Sequence, residues 1–318
     1  MKKLASVGAV PQQVAFGGHE TFVLRYPWLK KAVEAVGTNA SIFGSATAMV
    51  ELGVGKNMVR SIRFWGLSSG VLEEVPKTRG VELKVSDFGR VLFADEGLDP
   101  FLEDPASLWL LHWKIANSER RATTWCWAFN GYSSLQLTRN DLVTFLNDEL
   151  NRRNLDPPSS DTLRRDVDCF VRTYTSSRRV KQTVLEDSLD SPLVELGIIR
   201  GDAESETFKF QRGPKSSLPD SIFLFALLDF WQTHSKQRET LAFSEVAYGF
   251  GSPGMIFRLD EDSLTVLLER LELMTKGKLV YGETAGLKQI YRRTAVDQLA
   301  VLADYYDDAH SISALLGA

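Results

Sequence analysis

Residues 17–25, Gly-Gly-His-Glu-Thr-Phe-Val-Leu-Arg, form the densest polar cluster near the N-terminus. His19, Glu20 and Arg25 offer a base, a metal-ligating carboxylate and a phosphate clamp, the groups that phosphodiester hydrolysis uses. The same three side chains also suit a buried His–Glu–Arg hydrogen-bonded network that fixes the N-terminal arm. Zinc protease chemistry is excluded, because H-E-x-x-H needs a second histidine where Val23 stands. The chain has four histidines and two cysteines, Cys126 and Cys169, with neither zinc-site spacing nor a disulfide framework. That cysteine usage points to a reducing cytoplasm. A second acidic group, Glu186, Asp187 and Asp190, is of the type that holds Mg²⁺ or Mn²⁺, or is a solvated run on the surface.

Residues 51–65, ELGVGKNMVRSIRFW, contain Gly-Val-Gly-Lys but not a phosphate-binding loop. That loop needs a Ser or Thr after the lysine and an earlier glycine at fixed spacing; here Asn57 follows Lys56, and the preceding SATAMVEL is helical rather than a buried strand. The stretch reads instead as helix, glycine turn, helix. Met58, Ile62 and Trp65 lie at i, i+4, i+7 and make one apolar face. Lys56, Arg60 and Arg63 make another, with Asn57 beside them at the helix start. This division suits a recognition helix in the DNA major groove, and equally describes a solvated basic face on a core helix. Two short strands then flank Pro76-Lys77-Thr78-Arg79-Gly80, a hairpin whose tip carries Lys77 and Arg79 within reach of a phosphate backbone. Ser86 is an N-cap for the helix that follows.

These groups need elements to hold them. Tyr26-Pro27-Trp28 is a helix entry. Pro105 opens a helix with Trp109 and Trp113 at i, i+4, spaced as core or as a base-stacking platform; Asp104 and His112 beside them are candidates for polar chemistry. Thr138 caps one helix and Ser159 begins another, with Leu163, Val167 and Phe170 inward and Thr162, Arg164 and Arg165 near its exposed start. This pair is a second helix-turn-helix or a plain helical hairpin. A third unit, residues 240–293, ends in the hairpin KLVYGETAGLKQIYRR. Its helix opens with Asp260-Glu261-Asp262, which repels phosphate and suits protein packing or dimerisation. The expected fold is mainly α, with winged helix-turn-helix modules and short β-hairpin wings. The expected domains are 1–98, an arm plus a winged helix; 99–215, a Trp-rich helical region; and 216–318, a winged-helix-like region.

At 318 residues, 44% hydrophobic and 25% charged, the composition is that of a soluble globular protein. No apolar run reaches the ~18 residues that span a membrane. A net charge of −4 argues against a uniformly basic DNA-coating protein. Residues 1–90, however, hold 12 Lys and Arg against 7 Asp and Glu, so a basic face is concentrated there.

Taken together and in order, GGHETFVLRYPWLKK, LGVGKNMVRSIRFW, DPFLEDPASLWLLHWKI, DCFVRTY, SPLVELGII and TAGLKQIYRR resemble a bacterial family of unknown-function domains. That family occurs beside DNA phosphorothioation and anti-phage genes, and its best understood members are the SspB components of single-strand phosphorothioate modification. The resemblance covers about 15 to 295. It implies a protein that binds double-stranded DNA and nicks one strand with a divalent metal, Mg²⁺ or Mn²⁺. Its partners would be the desulfurase and sulfur-transfer proteins that replace a non-bridging phosphate oxygen. The alternative is a non-enzymatic DNA-binding scaffold or regulator that recruits that machinery.

Overall fold

The structure, a computed structural model, describes residues 13–176, 190–201, 205–284 and 286–306. About half of the chain is helical, and the strands form small antiparallel sheets. Glu186 and Asp187, expected as part of an acidic group, lie outside the described residues.

The first part contains α1 (Trp28–Thr38), α2 (Ala48–Leu52), α3 (Lys56–Ser68), β1 (Leu72–Glu74), β2 (Leu83–Val85) and α4 (Asp87–Phe93). Gly53 ends α2 in the left-handed region at φ 65°, so Gly-Val-Gly-Lys is a helix-capping turn between two helices. α3 buries Val59, Ile62, Phe64 and Trp65, while Met58 is only half-buried. β1 and β2 pair antiparallel, and Ser86 caps α4 by accepting from the Gly89 N–H at 2.8 Å. Leu83 N–H also bonds back to Ala40 O, ahead of α2.

The middle part begins with α5 (Pro105–Ala116) and α6 (Thr123–Asn130). The tryptophans are core: Trp109, Trp113, Trp125 and Trp127 are each no more than 1% exposed. Asp104 caps α5, and His112 is buried between the Tyr174 hydroxyl and Ile256 O, each at 2.9 Å. β3 (Gln136–Thr138), α7 (Arg139–Arg152), α8 (Ser160–Tyr174), β4 (Ile199–Arg200) and β5 (Thr207–Phe210) follow. Thr138 and Asp141 form a reciprocal capping box, and the three strands pair in the order β3-β5-β4.

The last part is α9 (Asp220–Ser235), β6 (Thr240–Ala242), α10 (Phe243–Tyr248), α11 (Pro253–Ile256), α12 (Glu261–Glu269), α13 (Leu271–Met274), β7 (Leu279–Thr284), β8 (Leu287–Arg292) and α14 (Gln298–Tyr305). The helix expected across 260–274 is divided at Arg270, and the turn expected at 251–254 runs into α11. Its sheet order, β6-β8-β7, repeats that of the middle part. Both parts therefore share one sequence of elements: strand, helices, then a hairpin that returns to the first strand. One continuous apolar core runs from Val23 through the tryptophans to Leu302.

Candidate functional site

Three segments distant in sequence meet at one cleft of ≈ 510 Å³. Residues 16–21 form one wall, Asn57 from the first turn of α3 a second, and Thr162 and Arg165 from the first turns of α8 a third. A cavity of this size lies within the range of small-ligand sites.

The wall at residues 17–21 is unusual backbone. Gly17, Glu20 and Thr21 take φ of 81°, 49° and 67°. Two consecutive non-glycine residues in the left-handed region cost of order 1–3 kcal/mol each, so the surroundings must hold them there. The holder is a buried carboxylate. Asp166 Oδ1 accepts from Gly17 N–H at 2.5 Å and from His19 Nε2 at 2.7 Å, and its Oδ2 accepts from the Thr124 hydroxyl at 2.5 Å. On the other side of the ring, Nδ1 accepts from the Thr21 N–H at 3.0 Å. His19 thus ties the loop to α8, and its ring edges against Phe64 and Trp125. The Arg172 guanidinium donates to Thr21 O at 2.6 Å and the Trp65 indole to Phe22 O at 3.1 Å.

These bonds settle the state of His19. Burial works against a charged ring, while Cys169 and the Asp166 carboxylate favour the charge and raise the pKa. A second proton would have to enter at Nδ1, where the Thr21 N–H already points. A pKa raised to about 10 would charge the ring at neutral pH, but the Thr21 N–H aimed at Nδ1 leaves a second proton no acceptor, and this contact favours the neutral ring with its proton on Nε2. Both nitrogens are engaged and the side chain is 1% exposed, so His19 props the loop from within the cleft wall. The expected His–Glu–Arg network differs in its membership: among the described residues the His19 ring bonds to Asp166 and to the Thr21 N–H.

Glu20 instead reaches across the rim to Arg60, at 3.1 Å. Both side chains are well solvated, and such a pair is worth about 0–1 kcal/mol. Either partner is therefore easily released to a ligand. Arg25 lies off the cleft, its guanidinium over the Phe22 and Trp28 rings at 5.7 and 5.2 Å. Arg165 lines the cleft and donates to Asp161 O, while Arg164 lies outside the lining, 3.9 Å from the Asp161 carboxylate. Helix dipoles add to this charge, because the starts of α3 and α8 both meet the cleft.

The remaining basic residues of the first part divide in two. Lys56, Lys77 and Arg79 are exposed, and the hairpin tip turns through left-handed Lys77, Arg79 and Gly80 at 71°, 54° and 76°. Arg63 is committed inward. It donates to Gly80 O at 3.0 Å and pairs with Glu74 at 3.5 Å, and Arg121 holds Glu74 from the other side at 3.0 Å. Burial pushes the Arg63 guanidinium below its ordinary range, opposed by Glu74. Arg63 therefore braces the hairpin against α3.

Sequence reasoning missed Asp166, the residue that organises the site. Its signal was present: an acidic side chain interrupts the apolar face Leu163, Val167, Phe170 of α8. Phe16 and Thr124 carried no comparable signal. Among the described residues, no group of three or more His, Cys, Asp or Glu is disposed to hold a metal ion. Mg²⁺ needs less, since it retains waters and often takes one or two carboxylates plus substrate phosphate. Glu20 is the carboxylate in the cleft that fits that demand.

Comparison with solved structures finds three matching chains, two of them SspB structures. A structure described as magnesium ion-bound SspB superposes with a TM-score of 0.84 at 29% identity, covering 93% of this chain and 89% of that one. A second SspB crystal structure gives 0.83 at 29% identity over the same shares. Comparison with curated proteins found no match. The family model described as "Protein of unknown function (DUF4007)" matches residues 16–306, and the chain belongs to that family.

Proposed function

We propose that this protein is the DNA-handling component of a phosphorothioate modification system and nicks one strand of a duplex laid across the cleft. One observation carries the reading: Gly17 to Thr21, Asn57, Thr162 and Arg165 converge on a single cavity at the start of α3, whose Lys56 and Arg60 are exposed. Family membership and the likeness to SspB support the phosphorothioation setting. In this reading the three parts are winged-helix modules, occupying about 1–98, 99–215 and 216–318. α3 enters the major groove with Lys56, Asn57 and Arg60, and Lys77 and Arg79 lie along the backbone. Arg164 and Arg165 meet the strand from α8, and Arg63 keeps the wing in register with α3.

The chemistry follows from the side chains available. Arg165 neutralises the phosphate in the cleft, and Asn57 and Thr162 hydrogen-bond its oxygens. Glu20, released from Arg60 as the guanidinium turns to phosphate, orients water or holds a divalent ion. Such an ion supplies Lewis acidity at the phosphoryl oxygen and a more acidic water. His19 and Asp166 position Glu20 from beneath. The second reading, a scaffold that binds DNA without cutting, is favoured by Glu20 standing as the lone carboxylate in the cleft lining.

Relaxation of supercoiled plasmid with Mg²⁺, with Mn²⁺ and with a chelator tests both readings. Nicking predicts metal-dependent open circles that Glu20→Gln abolishes while gel-shift binding persists. His19→Ala is expected to lower nicking through loss of the loop. Binding without open circles under any ion would leave the scaffold reading, and no binding at all would sink both.

A further inference from the structure

The third part repeats the element order of the middle part, and its helix α12 carries acidic residues and no basic one. Where α3 offers Lys56 and Arg60 and α8 offers Arg164 and Arg165, α12 offers Glu261, Asp262 and Glu269. Asp262, Val266, Glu269 and Leu273 recur at i, i+4, i+7 and i+11, the spacing of one helical face. Arg270 divides α12 from α13 at φ −79° and ψ −13°, and Leu273 lies beyond it in α13. Val266 is 46% exposed and Leu273 85%. Of ten large hydrophobic side chains exposed among the described residues, five belong to this part: Tyr248, Phe250, Val266, Leu273 and Leu287. Asp262 and Glu269 have no ion pair among the described residues. Glu272 leans toward Arg293 at 3.7 Å and Arg270 is taken by Asp220 at 2.9 Å.

We propose that this α12–α13 face is a docking surface for a partner protein that presents a basic, amphipathic segment: apolar side chains against Val266 and Leu273, with Lys or Arg against Asp262 and Glu269. Charge complementarity selects that occupant. Duplex DNA is repelled by the acids. A second copy of the chain is disfavoured because, among the described residues, this face offers no free cation to Asp262 and Glu269: Arg270, between α12 and α13, is taken by Asp220. The surface is separate from the cleft and does not depend on nicking, so the protein would hold DNA with its first two parts and a partner with its third.

The test uses the full chain and two labelled synthetic helical peptides, one of Leu and Lys at amphipathic spacing and one with Glu in place of Lys, titrated by fluorescence anisotropy. The Leu/Lys peptide is expected to bind at least tenfold more tightly than its counterpart. Leu273→Asp should weaken it at least tenfold, the double variant Asp262→Lys, Glu269→Lys should reverse the preference, and Asp156→Lys on a distant exposed site should change it less than twofold. Equal binding of the two peptides, or equal loss in the Asp156→Lys control, overturns the proposal. So does sedimentation that finds a wild-type dimer dissociated by Leu273→Asp, or a 20-base-pair duplex whose binding depends on Leu273. Val266→Ser, a milder change on the same face, repeats the test if Leu273→Asp perturbs the thermal melt.

Discussion

Removing the Asp166 carboxylate should unseat the cleft before it unfolds the protein. Asp166→Ala takes the acceptor from the Gly17 N–H, the His19 Nε2–H and the Thr124 hydroxyl. Gly17 lies at the cleft edge, where water can replace the lost bond, and the Thr124 hydroxyl can rotate. The His19 N–H is sealed in and has no substitute. One orphaned buried donor costs about 1–3 kcal/mol, and no unpaired charge is left behind to add to it. Against a total stability of about 5–15 kcal/mol the fold survives. The loop is loosened first, because His19 and Gly17 lose their anchor on α8 while Thr21 keeps its bonds to Arg172 and the His19 ring. Urea unfolding of wild type, Asp166→Ala, His19→Ala and the double variant measures the coupling directly, and about 1–3 kcal/mol is expected. Duplex binding supplies the functional readout: the penalty for Arg165→Ala should shrink in the Asp166→Ala background, since the opposing wall has loosened. Additivity of the two substitutions within ~0.5 kcal/mol, or an Arg165→Ala penalty indifferent to Asp166, would refute the prop.

Three further outcomes follow from other contacts. Arg60→Ala and Arg165→Ala should each reduce the salt slope of duplex binding by about one, whereas Arg63→Ala, whose guanidinium is bound to Gly80 and Glu74, should lower stability more than slope; filter binding between 50 and 200 mM salt separates them. Gly18→Ala sets a Cβ 2.8 Å from Phe64 Cδ2 in a packed aromatic cluster, costing about 1–3 kcal/mol, while Gly37→Ala in α1 meets nothing within 4 Å and should stabilise by roughly 0.5–1 kcal/mol, both readable from urea midpoints. Burial, opposed by the Ile256 carbonyl, lowers the His112 pKa to about 4. Between pH ~6.5 and 4 the unfolded chain therefore binds the extra proton and the native state does not, so this contribution is complete at neutral pH and is lost as pH falls. Two and a half units amount to roughly 3 kcal/mol over the whole window; about 1.5 of them lie above pH 5, so His112→Gln should flatten the decline in stability between pH 7 and 5 by roughly 2 kcal/mol.

What the sequence could reveal was whatever repeats or caps. Ser86, Thr138 and Ser159 announce helix starts because an N-cap needs a short side-chain oxygen at one position, and all three do cap. Gly53 announces its turn for the same local reason, through its left-handed φ. The periodic apolar faces of α3 and α8 and the burial of Trp109 and Trp113 were equally legible, since helical spacing alone fixes which side turns inward. The site was legible only in pieces. His19, Asn57 and Arg165 each stood out by type, but nothing local says that the starts of α3 and α8 face each other across residues 17–21. That juxtaposition is set by the core between them, where Phe64, Trp65, Trp125 and Phe170 pack edge to face. Roles were harder still. His19 reads as a base by type, and its two nitrogens are bonded to Asp166 and Thr21; Arg63 reads as a groove contact, and it holds Gly80. Both carry one lesson: a polar side chain on a helix or loop advertises its chemistry, while its freedom to use that chemistry depends on partners 17 to 147 residues away. Asp166 is the converse case, a residue whose partners make the site and whose only local sign is that it breaks an apolar stripe.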